Sequence, residues 1–504
     1  MIRLTNDEVG LIAGGRFGEV ILRKDSGKQL EIGQLLIYEK AGKKVLFKVY
    51  DLLHSSTLPQ NAIDMAQGYV REEEGPPLSI YDMDEKISYF TKGLLKPLIE
   101  IREEGSGTQI LGPKSMPSWW ESVREVRTSD LYFLQGDGTY LGKLRNGSRV
   151  MDIDIKLPTD KLIPHHVLIA ASTGKGKSNL VKVMLWSIAN EGKAGAFVID
   201  PHGEYWGFHE KGLRLLGEKA VLLSPNPPPG GISLKINVRS LLPDHFSGVS
   251  EFTEAQREGL ESIFRQFKQK WIEELLSDSQ EPVDGVKPAT IAVLRRKMRL
   301  LLGLGDNDEG SGPFSTDLGE ETINSIIKNL DDRKLVVVDT SSLEEGTELL
   351  ISNIVADSIM KKHQRAKAEG LLDSIPPVAI IIEEAARVLS EGVEPNVLKE
   401  VAREGRKFKV GLIAITQLPS LIQKELIANM NTKIILGNEA KSERDALVNS
   451  SAQDLSNEEQ EIASLDLGEG IVTSSFLRMA VPIKVPLFDL LINEDQRGRP
   501  KLAF

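Results

Sequence analysis

Six short runs in the middle of the chain, Val167–Ala170, Gly195–Asp200, Leu335–Asp339, Val378–Ile382, Val410–Thr416 and Thr432–Leu436, are apolar almost without interruption. Runs this short and this continuous predict strands covered on both faces, the signature of a mostly parallel sheet with helices above and below. Between them the spacing turns helical. Residues 343–365 predict one long helix, and 252–276 another, with Leu260, Ile263, Phe264, Phe267 and Trp271 near one face. A further helix over 289–304 carries Arg295, Arg296, Lys297 and Arg299, and such a basic cluster is either a nucleic-acid contact or a solvated face. These helices make an insertion of about 240–330 inside an α/β core.

The start of the chain reads differently. Strands separated by glycine turns are expected over 9–24, 29–38 and 43–52, which suggests a small barrel. The boundaries predicted are a β-barrel-type domain with an irregular extension over 1–150, an α/β core over 151–475, and a terminal strand with an extended arm over 476–504. With 504 residues the chain is too long for one ordinary core, so two to four units are expected.

Composition changes this picture little. At 40% hydrophobic and 27% charged it is that of a globular protein, and the absence of cysteine excludes disulfides, thiol catalysis and thiolate metal sites. No apolar run is long enough to span a bilayer, and 1–7 does not read as an export signal. The expectation is a cytoplasmic protein without membrane contact. The net charge of −11 argues against a surface that grips nucleic acid all over, but leaves room for a basic inner channel.

The chemistry lies at the ends of the strands. After Val167–Ala170 comes Ala171-Ser172-Thr173-Gly174-Lys175-Gly176-Lys177-Ser178, then a helical pattern. This is a phosphate-binding loop in its expected strand–turn–helix setting, although Ala171 replaces the first glycine of the pattern. Backbone N–H groups and a helix N-terminus converge where phosphate charge is favoured. Thr173 through Asn179 are the expected nucleotide contacts, Lys177 meeting the β and γ phosphates and Ser178 ligating Mg²⁺. The cofactors predicted are therefore ATP and Mg²⁺.

Val378–Ile382 delivers Glu383 and Glu384. The first suits the Mg²⁺ shell, directly or through water, and the second suits a general base on the attacking water. Gln417, ending the next strand, suits a γ-phosphate sensor. Arg406, with Arg403 and Lys407 as alternatives, is placed to reach a neighbour's nucleotide across a subunit interface. Asp200 and Glu204, in Asp-Pro-His-Gly-Glu-Tyr (200–205), lie on the ligand-binding edge and would see Mg²⁺, water or a neighbouring subunit, or simply cap a turn.

Taken together, the loop at 171–178, the turn at 200–205, Ile-Ile-Glu-Glu-Ala-Ala-Arg at 381–387, Arg-Glu-Gly-Arg-Lys at 403–407 and Ala-Ile-Thr-Gln-Leu-Pro-Ser at 414–420 resemble the HerA family of ring ATPases, within the HerA and FtsK group. The resemblance implies a RecA-like P-loop ATPase core with a helical insertion, a HAS-like amino-terminal barrel and a carboxyl-terminal brace. It further implies a homo-hexamer with ATP at subunit interfaces, double-stranded DNA in the central pore, and a NurA-like nuclease or another effector as partner in end processing or phage defence. Leu418 stands where family members commonly have Arg, and Ala386 where they commonly have His. The expected function is an ATP-driven DNA translocase or helicase. The alternative is an ATP-regulated scaffold ring that assembles and activates a partner enzyme.

Overall fold

The computed structural model describes residues 7–57, 89–104, 107–208, 210–277, 282–304 and 312–498. Among the described residues, seven strands form the amino-terminal sheet: β1 (Glu8–Arg16), β2 (Glu19–Lys24), β3 (Leu35–Lys40), β4 (Lys43–Ser56), β5 (Tyr89–Glu104), β6 (Gly107–Leu111) and β7 (Ser122–Glu125). They pair in the order β2-β1-β7-β3-β4-β5-β6, and a further antiparallel pairing of β2 with β5 closes the sheet into a barrel with β6 outside it. Register shifts at Ile12/Gly14 and at Leu46/Phe47 and Val49/Asp51 allow the closure, since an extra residue on one strand bends it and sharpens its twist. Val20, Leu22, Leu36, Phe47, Val49 and Leu95 fill the interior. The strand expected over 29–38 starts only at Leu35, because Gly33 turns the chain at φ +80°. The loop expected around 75–77 lies outside the described residues.

The larger sheet contains β8 (Thr139–Asn146), β9 (Arg149–Leu157), β10 (Val167–Ala170), β11 (Gly195–Asp200), β12 (Ala220–Ser224) and β13 (Ile232–Ser233). A separate two-stranded pair, β14 (Ile236–Asn237) and β15 (Phe314–Ser315), brackets the insertion. The larger sheet then continues with β16 (Leu335–Asp339), β17 (Val378–Ile382), β18 (Val410–Thr416), β19 (Thr432–Leu436), β20 (Glu469–Thr473) and β21 (Val481–Lys484). Its order is β13-β12-β16-β11-β17-β18-β10-β19-β20-β21-β8-β9. From β13 to β19 the pairings are parallel, and from β19 onward antiparallel. The hairpin β8–β9 spans the boundary drawn at 150 from the sequence and is hydrogen-bonded into this sheet, so the core sheet takes in residues from 139 onward.

Alternate residues of the parallel strands enter two different cores, which explains the unbroken apolar runs. Leu168, Phe197, Val338, Ile380 and Leu412 face the side that holds the helix Glu345–Ala368 and the insertion. Ile169, Val198, Val337, Ile381 and Ile413 face the side of the helix Lys177–Glu191.

Two further expected elements differ. The single helix over 252–276 is broken into Glu254–Phe267 and Trp271–Leu276, with Lys268 at φ +54° between them. The break accompanies complete burial of Trp271, whose indole N–H donates to the Leu241 carbonyl at 2.9 Å. The arm expected to be extended is instead helical over Phe488–Gly498, because its apolar side chains pack on the P-loop helix; Trp186 and Phe488 meet edge to face at 5.7 Å. The residues beyond 498 lie outside the described ones. In the basic cluster, Arg295 and Arg299 donate to the carbonyls of Leu275 and Leu276 and Lys297 to that of Glu251, so these three staple the insertion to itself.

Candidate nucleotide site

Parallel strands share one direction, so everything that follows them gathers at one edge of the sheet. The loop 171–178 leaves β10, Asp200 ends β11, Asp339 ends β16, Glu383 and Glu384 follow β17, and Gln417 follows β18. Because β18 lies between β10 and β17, Gln417 leaves the sheet between the loop and the two carboxylates.

The loop owes its shape to two glycines with left-handed backbone, Gly174 at φ +78° and Gly176 at φ +97°. A side chain at Gly176 would have room, with Leu467 Cδ1 at 3.6 Å, so it is the backbone angle that calls for glycine there. Gly176 caps the helix Lys177–Glu191 without any side-chain acceptor for the first N–H groups. Such a terminus favours an anion through its unpaired donors and the helix dipole.

Lys177 is partly buried, and among the described residues its ammonium makes one hydrogen bond, to the Ala171 carbonyl at 3.3 Å. Burial lowers its pKa, while the charges of Glu384, Glu383 and Glu204 pull it back up. Glu383 is pushed up to about 7, first by burial and then by the negative charge of Glu204, against the attraction of Lys177. A cation short of partners facing carboxylates that burial disfavours is a site whose charges suit an Mg²⁺-nucleotide. For Mg²⁺ the available donors are the Ser178 hydroxyl and the Glu383 carboxylate, hard oxygens of the kind that hold this ion together with substrate phosphates.

Glu384 adopts φ +45°, an uncommon conformation for a residue with a side chain, and one that clusters at functional sites. The backbone that follows is fixed, with the Ala385 amide donating to Ile415 O at 2.9 Å. The Gln417 side-chain amide donates to Glu384 Oε1 at 3.0 Å, and the Gln417 Oε1 accepts from Thr173 Oγ1 at 2.6 Å. A continuous chain of hydrogen bonds thus runs from the phosphate loop through Gln417 to Glu384.

Other expected residues have different work. The side chain of Asn179, expected among the nucleotide contacts, instead donates to Pro486 O and accepts from the Phe488 amide, both at 2.9 Å. Lys175 turns its ammonium to the Leu465 carbonyl at 3.0 Å. Asn179 thus holds the carboxyl-terminal segment, and Lys175 holds the loop before β20. Asp200 is wholly buried and accepts the amides of Glu204 and Tyr205, each at 3.0 Å, so it is the cap of its turn. Burial raises its pKa to about 6, against the hydrogen bond from the Glu204 amide. Tyr205, absent from the sequence expectations, donates its hydroxyl to Glu383 Oε1. Its place as last residue of the capped turn 200–205 was the available signal.

Arg403, Arg406 and Lys407 precede β18 and so lie at the opposite edge of the sheet, together with His165, His166 and Asn431, around a cavity of about 680 Å³. Arg403 Nε stands 3.6 Å from Glu425. The strand between them and Gln417 spans roughly 20 Å at the usual rise of a strand. These arginines are thus remote from the phosphate loop of their own chain.

Residues 139–359 match the family model described as Helicase HerA, central domain. The DNA double-strand break repair helicase HerA of Sulfurisphaera tokodaii is 26% identical over 488 residues, covering 92% of this chain and 90% of that protein. The protein of the same name from Saccharolobus solfataricus is 26% identical over 430 residues, covering 80% of this chain and 79% of that protein. Among solved structures, VirB4 of Thermoanaerobacter pseudethanolicus superposes with a TM-score of 0.47 at 17% identity, covering 70% of this chain and 97% of that one.

Proposed function

With its residues 139–359 identified as a HerA central domain, we propose that this P-loop ATPase is an ATP-driven translocase or helicase on double-stranded DNA, working as a homo-hexameric ring. The observation that carries the reading is the chain from Thr173 through Gln417 to Glu384, beside Lys177 and Glu383. Lys177 and the amides of the loop hold the β and γ phosphates, and Ser178 and Glu383 hold Mg²⁺, which supplies charge neutralisation on the phosphoryl oxygens. Glu384 accepts the proton of the attacking water, and Gln417 ties the position of that carboxylate to the loop that feels the γ-phosphate.

Two features support the ring. Arg406 and Arg403 stand at the edge of the sheet opposite their own phosphate loop, where they serve a neighbour. Leu418 and Leu467, 46% and 59% exposed, flank the loop and suit an apolar contact with that neighbour. Double-stranded DNA passes through the central pore held by its phosphates without base readout. A NurA-like nuclease or another effector acts with the ring. No helix among the described residues is long and apolar enough to cross a membrane.

The test is ATP hydrolysis by the purified protein with and without linear double-stranded DNA, with particle mass from light scattering on the same sample. Stimulation by DNA in a particle of six chains is expected. Hydrolysis indifferent to DNA would overturn the motor reading in favour of a scaffold ring.

A further inference from the structure

Tyr205 has no part in the phosphate loop or the acid pair, yet its surroundings are built to place one atom. The side chain is 1% exposed and its ring belongs to the core beneath the P-loop helix. Its backbone is held from both sides. The Tyr205 amide donates to the buried carboxylate of Asp200 at 3.0 Å, and its carbonyl accepts from the Leu213 amide at 2.9 Å. Gly203, at φ +67°, makes the turn that brings Tyr205 back toward β17. The phenol so placed donates to Glu383 Oε1.

We propose that Tyr205 is a positioning residue for Glu383. By occupying Oε1, its hydroxyl fixes the rotation of the carboxylate and leaves Oε2 as the oxygen turned to the Mg²⁺ shell. The turn 200–205 is then a strut between the strand that ends at Asp200 and the carboxylate at the end of β17. An unsupported Glu has one more rotatable bond than an Asp at the same place, and a buried donor removes that freedom. Outer partners of this kind orient a ligand carboxylate, and their loss weakens metal binding by about 10- to 100-fold. The proposal rests on the reading of Glu383 as a Mg²⁺-shell carboxylate.

The experiment compares wild type with Tyr205→Phe, which keeps the ring and removes the hydroxyl. The affinity of a non-hydrolysable ATP analogue is measured by calorimetry in Mg²⁺ and again in EDTA. The ratio of the two is the Mg²⁺ advantage. In Tyr205→Phe we expect the EDTA affinity to stay within about twofold and the Mg²⁺ advantage to fall about tenfold or more. Glu383→Gln should lose the advantage as well, and adding Tyr205→Phe to it should cost nothing further. An unchanged advantage overturns the proposal. So does an equal loss of affinity with and without Mg²⁺, or a variant that no longer melts cooperatively, since either would make the hydroxyl a stability group. If wild type itself shows no Mg²⁺ advantage, the reading of Glu383 fails and takes the proposal with it. If wild type shows one and Tyr205→Phe keeps it, the proposal alone fails.

Discussion

Gln417 donates to Glu384 at 3.0 Å from the strand that separates the phosphate loop from the acid pair. The relationship ties the orientation of one carboxylate to the state of the loop, because the other end of the Gln417 amide accepts from Thr173. If Glu384 is the general base, Glu384→Gln should lower the hydrolysis rate by about 10²- to 10⁴-fold while nucleotide affinity stays near wild type. Gln417→Ala should lower the rate too, though less, because the carboxylate remains but is no longer held. Single-turnover hydrolysis and analogue binding on the same preparations check both. Normal turnover in Glu384→Gln would move the base elsewhere.

Arg406 sits at the sheet edge opposite its own phosphate loop. Arg406→Ala should cut turnover by about 10³-fold, the usual worth of an arginine supplied to a transferring phosphoryl group. A mixing experiment tests the trans geometry. Lys177→Ala has a dead loop and an intact arginine, whereas Arg406→Ala has the reverse. In the proposed ring, mixed assemblies would contain some interfaces with an intact loop facing an intact arginine, so the mixture should recover activity that neither variant has. Near-normal turnover in Arg406→Ala alone would assign the role to Arg403 or Lys407.

The barrel and the ATPase core are joined by buried charge. Glu461 accepts from Arg145 Nη2 at 2.5 Å and pairs with Lys48 of β4, while Glu458 lies 3.3 Å from Lys96 of β5. Burial alone would raise the Glu461 pKa, but Lys48 and Arg145 hold it below its ordinary value. Removing one partner of such a cluster leaves a buried charge uncompensated, so Glu461→Ala should cost about 3–5 kcal/mol. An acid with a lowered folded pKa contributes its stability above its ordinary pKa and loses it as pH falls through the folded value. Thermal melts should therefore show the gap between wild type and Glu461→Ala narrowing in acid. A gap that stays constant with pH would mean that the ion pairs contribute nothing at this joint.

The parts of the molecule that local pattern controls were legible in the sequence. Unbroken apolar runs mark β10, β11, β16, β17, β18 and β19, and the residues that end them assemble at one edge as parallel pairing requires. What the sequence did not reveal depends on contacts distant along the chain. Nothing local says that Asn179, two residues after Lys177, spends its amide on Pro486 and Phe488, or that Lys48 meets Glu461 across 413 positions. The break at Lys268 follows from where Trp271 finds an acceptor for its N–H, which is a matter of tertiary packing. Tyr205 was hidden for a related reason: an apolar ring in a core strut reads as packing until the partner of its hydroxyl is seen.

A last prediction concerns a buried amine outside the nucleotide site. Lys433 of β19 is 1% exposed, and its ammonium donates to the carbonyls of Met430 at 2.9 Å and Ser450 at 2.5 Å. No carboxylate charge offsets its burial among the described residues, and burial pushes its pKa down to about 8. The folded protein therefore holds fewer protons than the unfolded chain between about pH 8 and the ordinary lysine value, so stability rises with pH across that window and is flat below it. The full effect is about 3 kcal/mol at 1.36 kcal/mol per pKa unit. Lys433→Met keeps the length of the side chain and removes the titration. Chemical denaturation of both proteins at pH 7 and pH 10 isolates the lysine, because every other titrating group is common to the pair. Wild type should gain on the variant by most of that amount between the two pH values. A difference that does not move with pH would mean that water or a counterion reaches the ammonium in solution, and that Lys433 is charged at no cost to the fold.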